Sequence, residues 1–181
     1  MHLILDIDGT LITDDEPIIF RPGLAKFLNF CFEHFETVSI WSAAGEDHVQ
    51  SISAQVLPEG RKWLFVRHGK YCHARYSTGS GDEIFTPMIT EKRLGNIWKS
   101  KQYREKGLKR ENTIIIDNTP SVCTKNYGNA IYVRTFEGDP DDQELDRLMT
   151  YLQDFIKCEN VRTVEKRNWR REIGKLNVKL S

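Results

Sequence analysis

Residues 2–13 read HLILDIDGTLIT. A strongly apolar run ends there in two aspartates, Asp6 and Asp8, with Gly9 directly behind them. Buried carboxylates are costly unless they are paired or bound to a metal, and aspartate is a poor strand former. The unalternating apolar residues 2–5 are the mark of a strand buried on both faces of a parallel sheet. Residues two apart in a strand project to the same side, so Asp6 and Asp8 can reach toward one point. Gly9 lets the chain turn sharply behind them.

Outward from that strand, RPGLAKFLNFCFEHF (21–35) predicts a helix with Pro22 in its first turn. Leu24, Phe27, Leu28, Cys31 and Phe35 fall at helical spacing. TVSIW (37–41) predicts a second buried strand, followed by SAAG and a helix over 46–56. KWLFV (62–66) predicts a third strand, and the Gly, Ser and Thr-rich residues 67–90 predict loops or a small hairpin. Within them His68, Cys72 and His73 match no common zinc spacing and read as part of a polar loop. Thr90 is the expected N-cap of a helix through Leu94, Ile97 and Trp98. NTIIID (112–117) and NAIYV (129–133) predict two more strands. The last strong helix is expected after Asp139 as cap and Pro140 in the first turn, with Leu145, Leu148, Met149, Leu152 and Phe155 on one face. Strands alternating with helices predict an α/β fold, a doubly wound, mostly parallel sheet whose carboxyl edge binds ligands. The expected organisation is one domain over 1–160, with a small insertion at 67–90, and a basic helix or tail over 161–181. Residues 162–181 hold seven basic and two acidic side chains, and Trp169, Ile173 and Leu176 can pack together at helical spacing.

The 181 residues carry 26 basic and 26 acidic side chains, which gives no global pull toward nucleic acid or a membrane surface. No apolar stretch approaches a membrane span, and the amino terminus enters a strand pattern with no signal-peptide features. Four cysteines without close pairs, Cys31, Cys72, Cys123 and Cys158, read as free thiols of an intracellular protein, cytoplasmic or nuclear.

Four segments at strand ends or a helix start carry the polar chemistry: Asp6 and Asp8, Ser42 after Trp41, Lys92, and Asp117 with Asn118. Three or four oxygens from Asp6, Asp8 and Asn118 or Asp117 suit magnesium, a hard cation that retains several waters. A carboxylate beside that ion can attack phosphorus, a second can trade the proton, and a hydroxyl and a lysine can hold the remaining phosphoryl oxygens. Taken singly, each has a structural reading as a cap, a turn residue or a surface lysine.

DIDGTL, WSAAG, the lysine of EKRLGNIW and IIIDNTP together resemble the successive motifs of the haloacid dehalogenase (HAD) superfamily. More narrowly, with RPGLAKFL, they resemble the small phosphatases that act on the RNA polymerase II carboxy-terminal domain, also called NLI-interacting-factor-like proteins. The resemblance runs from about His2 to Phe155 and is loose between 57 and 90. It implies a HAD-like, Rossmannoid fold without a large cap, Mg2+ as cofactor, and Asp6 as the phosphoryl-accepting nucleophile. It implies Asp8 as general acid/base, its backbone carbonyl also on the metal. Ser42 and Ala43 fall in the phosphate-binding loop, Lys92 on the motif-three lysine with Lys99 and Lys101 as alternatives, and Asp117 and Asn118 on the metal-site pair. Gly9 departs from the family's DLDET and WSAA from its Thr-Ala-Ser. The segment between Thr13 and Arg21 is shorter than in the polymerase-directed enzymes, which weakens the polymerase tail as substrate. An uncapped site is expected to admit a phosphorylated protein or peptide, with Arg67, Arg75 and residues 67–90 forming one wall. The alternatives are a catalytically silent binding module and a phosphatase for nucleic-acid ends.

Overall fold

β1 (His2–Leu5) is buried along its whole length because it is the central strand of five. The computed structural model describes residues 1–76 and 88–173. After β1 come α1 (Leu24–His34), β2 (Thr37–Trp41), α2 (Glu46–Val56) and the two-residue β3 (Val66–Arg67). β4 (His73–Tyr76) and β5 (Met88–Glu91) pair antiparallel as a small separate sheet. α3 (Gly95–Lys99), α4 (Lys101–Arg104), β6 (Thr113–Asp117), β7 (Ala130–Tyr132) and α5 (Glu144–Ile156) complete the series. The main sheet is parallel in the order β3-β2-β1-β6-β7. β1 therefore stands between the strand that follows it through α1 and the strand reached after the long excursion through β5. That reversal of strand order is the switch point at which open α/β sheets bind ligands.

Period-two alternation within each strand divides the core into two layers. Leu3, Leu5, Val38, Ile40, Ile114 and Ile116 face a cluster that includes Phe27 and Leu28 of α1, Val49 of α2 and Leu148 and Leu152 of α5. Ile4, Trp41 and Ile115 face the other side, against Leu94, Ile97, Tyr103 and Leu108. The five apolar positions expected on one face of α5 are all buried. Val161 and Trp169 belong to the first cluster, with Ile173 packed against it, so the chain past 160 is part of the same core; Leu176 lies outside the described residues. Among the described residues no helix is long and apolar enough to cross a membrane.

Several local expectations need correction. α1 starts two residues past Pro22, at a left-handed Gly23 with φ 78°, so Pro22 lies in the approach. Val66 is the only residue of the 62–66 run that becomes strand. α5 starts at Glu144, where the Asp142 carboxylate accepts from the Glu144 amide at 2.9 Å; the Asp139 carboxylate accepts from the amide of Asp141, ahead of the helix. Thr90 caps no helix: it lies within β5, and α3 starts five residues later. The polar loop expected around His68 is a short 3-10 turn, Gly69–Tyr71, leading into β4.

Candidate active site

β1 is extended past Leu5 by the Asp6 amide, which donates to the Ile116 carbonyl at 3.0 Å. The chain then folds over on itself, the Thr10 and Leu11 amides both reaching the Ile7 carbonyl. Gly9 takes φ 67°, a conformation that strains any other L-residue. β6 ends on Asp117 beside it. Lys92 directly follows the end of β5: its amide donates to the Val122 carbonyl at 2.8 Å, and the Asn126 side-chain amide donates to its carbonyl. The same Asn126 accepts from the Leu94 amide at 3.0 Å, which fixes where α3 can begin.

These three arrivals build one buried ionic cluster. Lys92, 1% exposed, donates from Nζ to Asp6 Oδ1 and, at 2.7 Å, to Asp117 Oδ2. The other oxygen of Asp6 accepts from Thr10 Oγ1 at 2.9 Å, and the other oxygen of Asp117 accepts from the Thr119 amide at 2.8 Å. Thr10 Oγ1 also accepts from the Asn118 amide at 3.1 Å and lies 3.5 Å from Asn118 Oδ1. A single hydroxyl thus pins Asp6 to Asn118. Burial would depress Lys92, but the carboxylates of Asp6 and Asp117 outweigh it and hold the ammonium above its ordinary value. Burial pushes the Asp6 carboxyl up against the pull of Lys92, and the neighbouring Asp117 adds to the rise.

Asp8 faces a second set of partners. Its Oδ2 accepts from Ser42 Oγ at 2.7 Å, and its Oδ1 lies 2.6 Å from His48 Nε2 in the first turn of α2. Ser42 Oγ in turn accepts from the Ala44 amide at 3.0 Å. Asp6, Lys92, Asp117 and Asn118 of the first set and Asp8, Ser42 and His48 of the second line a cavity of about 390 Å³, open to solvent, with Asp14, Ala43 and Thr119 also on its walls.

A family model described as NLI interacting factor-like phosphatase matches residues 1–162. The chain belongs to that family. An FCP1 homology domain-containing protein of Schizosaccharomyces pombe is 26% identical over 182 residues, 88% of this chain and 72% of the relative. A probable C-terminal domain small phosphatase of Dictyostelium discoideum is 30% identical over 91% of this chain. The human ubiquitin-like domain-containing CTD phosphatase 1 is 25% identical over 96% of it. The chain spans 46% and 55% of the lengths of these last two. The solved structure of Fcp1, an essential RNA polymerase II CTD phosphatase, aligns at TM-score 0.51 and 15% identity, over 98% of this chain and 49% of that one. The fold of this phosphatase family is therefore the fold found here, of HAD type with a mostly parallel sheet.

Within that family frame, Asp6, Asp8, Ser42, Ala43, Lys92, Asp117 and Asn118 all line the one cavity. Lys99 is exposed, and Lys101, 83% exposed, pairs with Glu105. Arg67 ends β3 with its guanidinium 5.1–5.4 Å from the rings of Trp41, Phe65, Tyr71 and Tyr103, and it is not among the residues lining the cavity. The Arg75 side chain lies outside the described residues. His68 faces Glu46 at 3.5 Å. Sequence reasoning missed Thr10 and His48. Thr10 lies inside the opening motif, and the signal for His48 is that a helix following Ser42 must begin at the same sheet edge as Asp8.

The donors around Asp6 suit a hard cation. Among the described residues no three His, Cys, Asp or Glu side chains group to hold a metal. Asp117 has both oxygens engaged by Lys92 and Thr119. Asp6 Oδ2 and Asn118 Oδ1 accept only from hydroxyls among the described residues, those of Thr10 and Thr119, and both residues line the cavity. Few protein oxygens, with room for several waters, is the mode of magnesium.

Proposed function

We propose that this chain is a magnesium-dependent phosphatase for phosphoserine or phosphothreonine in proteins, working through an aspartyl-phosphate on Asp6. The observation that carries it is the buried Asp6–Lys92–Asp117 cluster opening onto a solvent-connected cavity with Asp8 on the same wall. Asp6, the Asp8 backbone carbonyl and Asn118 would hold the magnesium, with Asp117 fixing Lys92 instead of ligating. When bound, that ion supplies positive charge against the phosphoryl oxygens. A carboxylate oxygen of Asp6 attacks phosphorus, the bond to the serine oxygen breaks, and that oxygen takes the Asp8 proton. A water then attacks the aspartyl-phosphate, gives its proton to Asp8, and releases inorganic phosphate and the Asp6 carboxylate. Lys92 and Ser42 neutralise charge as it spreads over the phosphoryl oxygens. The solvent-open cavity supports a protein-borne phosphate, and the names of the relatives support a phosphoprotein substrate.

Hydrolysis of p-nitrophenyl phosphate by wild type, lost in Asp6→Asn and in a chelator and restored by magnesium, is the expected result. Activity that survives Asp6→Asn would overturn the assignment. Faster turnover of small phosphometabolites than of phosphoserine peptides would overturn the substrate class.

A further inference from the structure

His48 belongs to none of the four motif segments, yet it touches the group on which proton transfer depends. We propose that His48 is a positioning residue that holds Asp8 while Ser42 is engaged with the substrate's phosphate; this rests on the phosphatase reading above. His48 Nε2 lies 2.6 Å from Asp8 Oδ1, and an imidazole nitrogen can donate to a carboxylate or accept from a carboxyl, so this contact can hold Asp8 while its proton is traded. Ser42 holds the other oxygen, Oδ2, at 2.7 Å. A hydroxyl has one proton to give. Ser42 cannot donate to Asp8 and to a phosphoryl oxygen at once, so phosphate binding withdraws one of the two contacts that fix Asp8.

What remains is His48, and its placement suits the task. It stands in the first turn of the eleven-residue α2, whose Val49 and Ile52 are anchored in the core. Sites on rigid elements hold geometry better than sites on loops. Its side chain is 35% exposed at the cavity wall, which leaves it clear of the buried Asp6–Lys92 cluster. Asp14 lines the same cavity and repels Asp8, so without a donor the Asp8 carboxylate has a reason to swing away. With Oδ1 held by the helix and Oδ2 released by Ser42, Oδ2 is the oxygen that trades the proton with the leaving group and then with water.

The test uses the full chain and two substrates that differ in their need for that proton. A serine alkoxide cannot leave without one, whereas p-nitrophenolate can. His48→Ala is expected to lower kcat/KM for a phosphoserine peptide by ~10–100-fold, the size of a misplaced catalytic group. kcat/KM for p-nitrophenyl phosphate, which reports attack by Asp6, should stay within about threefold, because proton donation contributes little to that step. His48→Gln presents an amide N–H near the same place and should recover most of the peptide activity. Equal losses on both substrates, no loss on either, or a glutamine variant no better than alanine would overturn the positioning role alone. Should His48→Ala melt far below wild type, the ratio of the two substrates in His48→Gln, close to wild type if the role holds, decides. Hydrolysis of neither substrate by wild type overturns the phosphatase reading and the positioning role with it.

Discussion

Arg21 is the place where the fold and the site share one side chain, and its removal should be costly in a way that can be worked out beforehand. Its side chain is 0% exposed. Nε and Nη2 each donate at 2.9 Å to the two oxygens of Asp142, Nη1 donates to the Thr10 carbonyl at 3.0 Å, and the guanidinium lies 5.3 Å from the Phe136 ring. Arg21→Met keeps an apolar stem and deletes all three hydrogen bonds. Removing one partner of a buried ion pair costs about 3–5 kcal/mol, and the 17% exposure of Asp142 lets water return to it, which favours the lower end. The Thr10 carbonyl is then an orphaned acceptor, worth about 1–3 kcal/mol and not fully additive. A loss of ~3–4 kcal/mol in urea denaturation, seen as a lower midpoint at unchanged slope, is the expected result. For a domain of this size that corresponds to a Tm drop of roughly 6–16 °C. Burial would raise Asp142, but the Arg21 hydrogen bonds and the Glu144 amide hold it below the ordinary carboxylate range. Its stabilisation is therefore present above the ordinary value of about 4 and is lost as pH falls through the depressed one. The gap between wild type and Arg21→Met should narrow from about pH 5 to pH 3. A loss under about 1 kcal/mol at neutral pH, or one equally large in acid, would refute the reasoning.

Three further outcomes follow from the geometry. A Cβ on Gly69 would stand 2.5 Å from the Ala43 carbonyl oxygen, which is backbone and cannot step aside, so Gly69→Ala should lower phosphopeptide turnover by ~10-fold at a stability cost of ~1–3 kcal/mol; full activity would show that the loop yields freely. Trp169 is 1% exposed and donates to the Tyr132 carbonyl at 2.9 Å, so Trp169→Ala should cost ~3–5 kcal/mol in urea denaturation, and a loss below about 1 kcal/mol would mean that the segment past 160 merely rests on the domain. Lys92→Met leaves Asp6 and Asp117 facing each other without their cation. Acids whose folded value is raised stabilise at low pH and lose that contribution as pH rises through it, so the deficit of the variant, measured in chelator, should widen from about pH 5 to pH 8, and a flat deficit would refute the charge assignment.

What was legible in the chain, and what was not, divides along the range of the interactions. β1 and β6 announce themselves because a strand covered on both faces needs apolar residues at every position, and Leu3, Ile4, Leu5, Ile114, Ile115 and Ile116 supply them. α5 is legible for the same reason at helical period. Lys92 was placed in a helix because Thr-Glu-Lys-Arg has a cap followed by good helix formers, all local signals. Asn126, more than thirty residues on, overrides them by bonding the Lys92 carbonyl and the Leu94 amide. His48 was illegible for a similar reason: forty residues separate it from Asp8, and only the sheet order brings the start of α2 to that edge.

The two aspartates of the opening stretch solve the same burial problem differently, and the difference supports the roles proposed for them. Asp6 shares Lys92 with Asp117, so two carboxylates face one ammonium and one negative charge stays uncompensated in the interior. Buried charge without a partner is expensive, and here it sits at the open end of a cavity beside the Asn118 amide oxygen, pinned there by Thr10. That imbalance is what a hard divalent cation corrects. Among the described residues the Asp8 carboxylate is held by a serine hydroxyl and an imidazole, both able to let go of or keep a hydrogen bond without moving a full charge. A carboxylate fixed by an ammonium, and by a metal once one is bound, would suit the proposed nucleophile, which must stay ionised. One held by groups that can each release it suits a residue that must take up a proton and give it back.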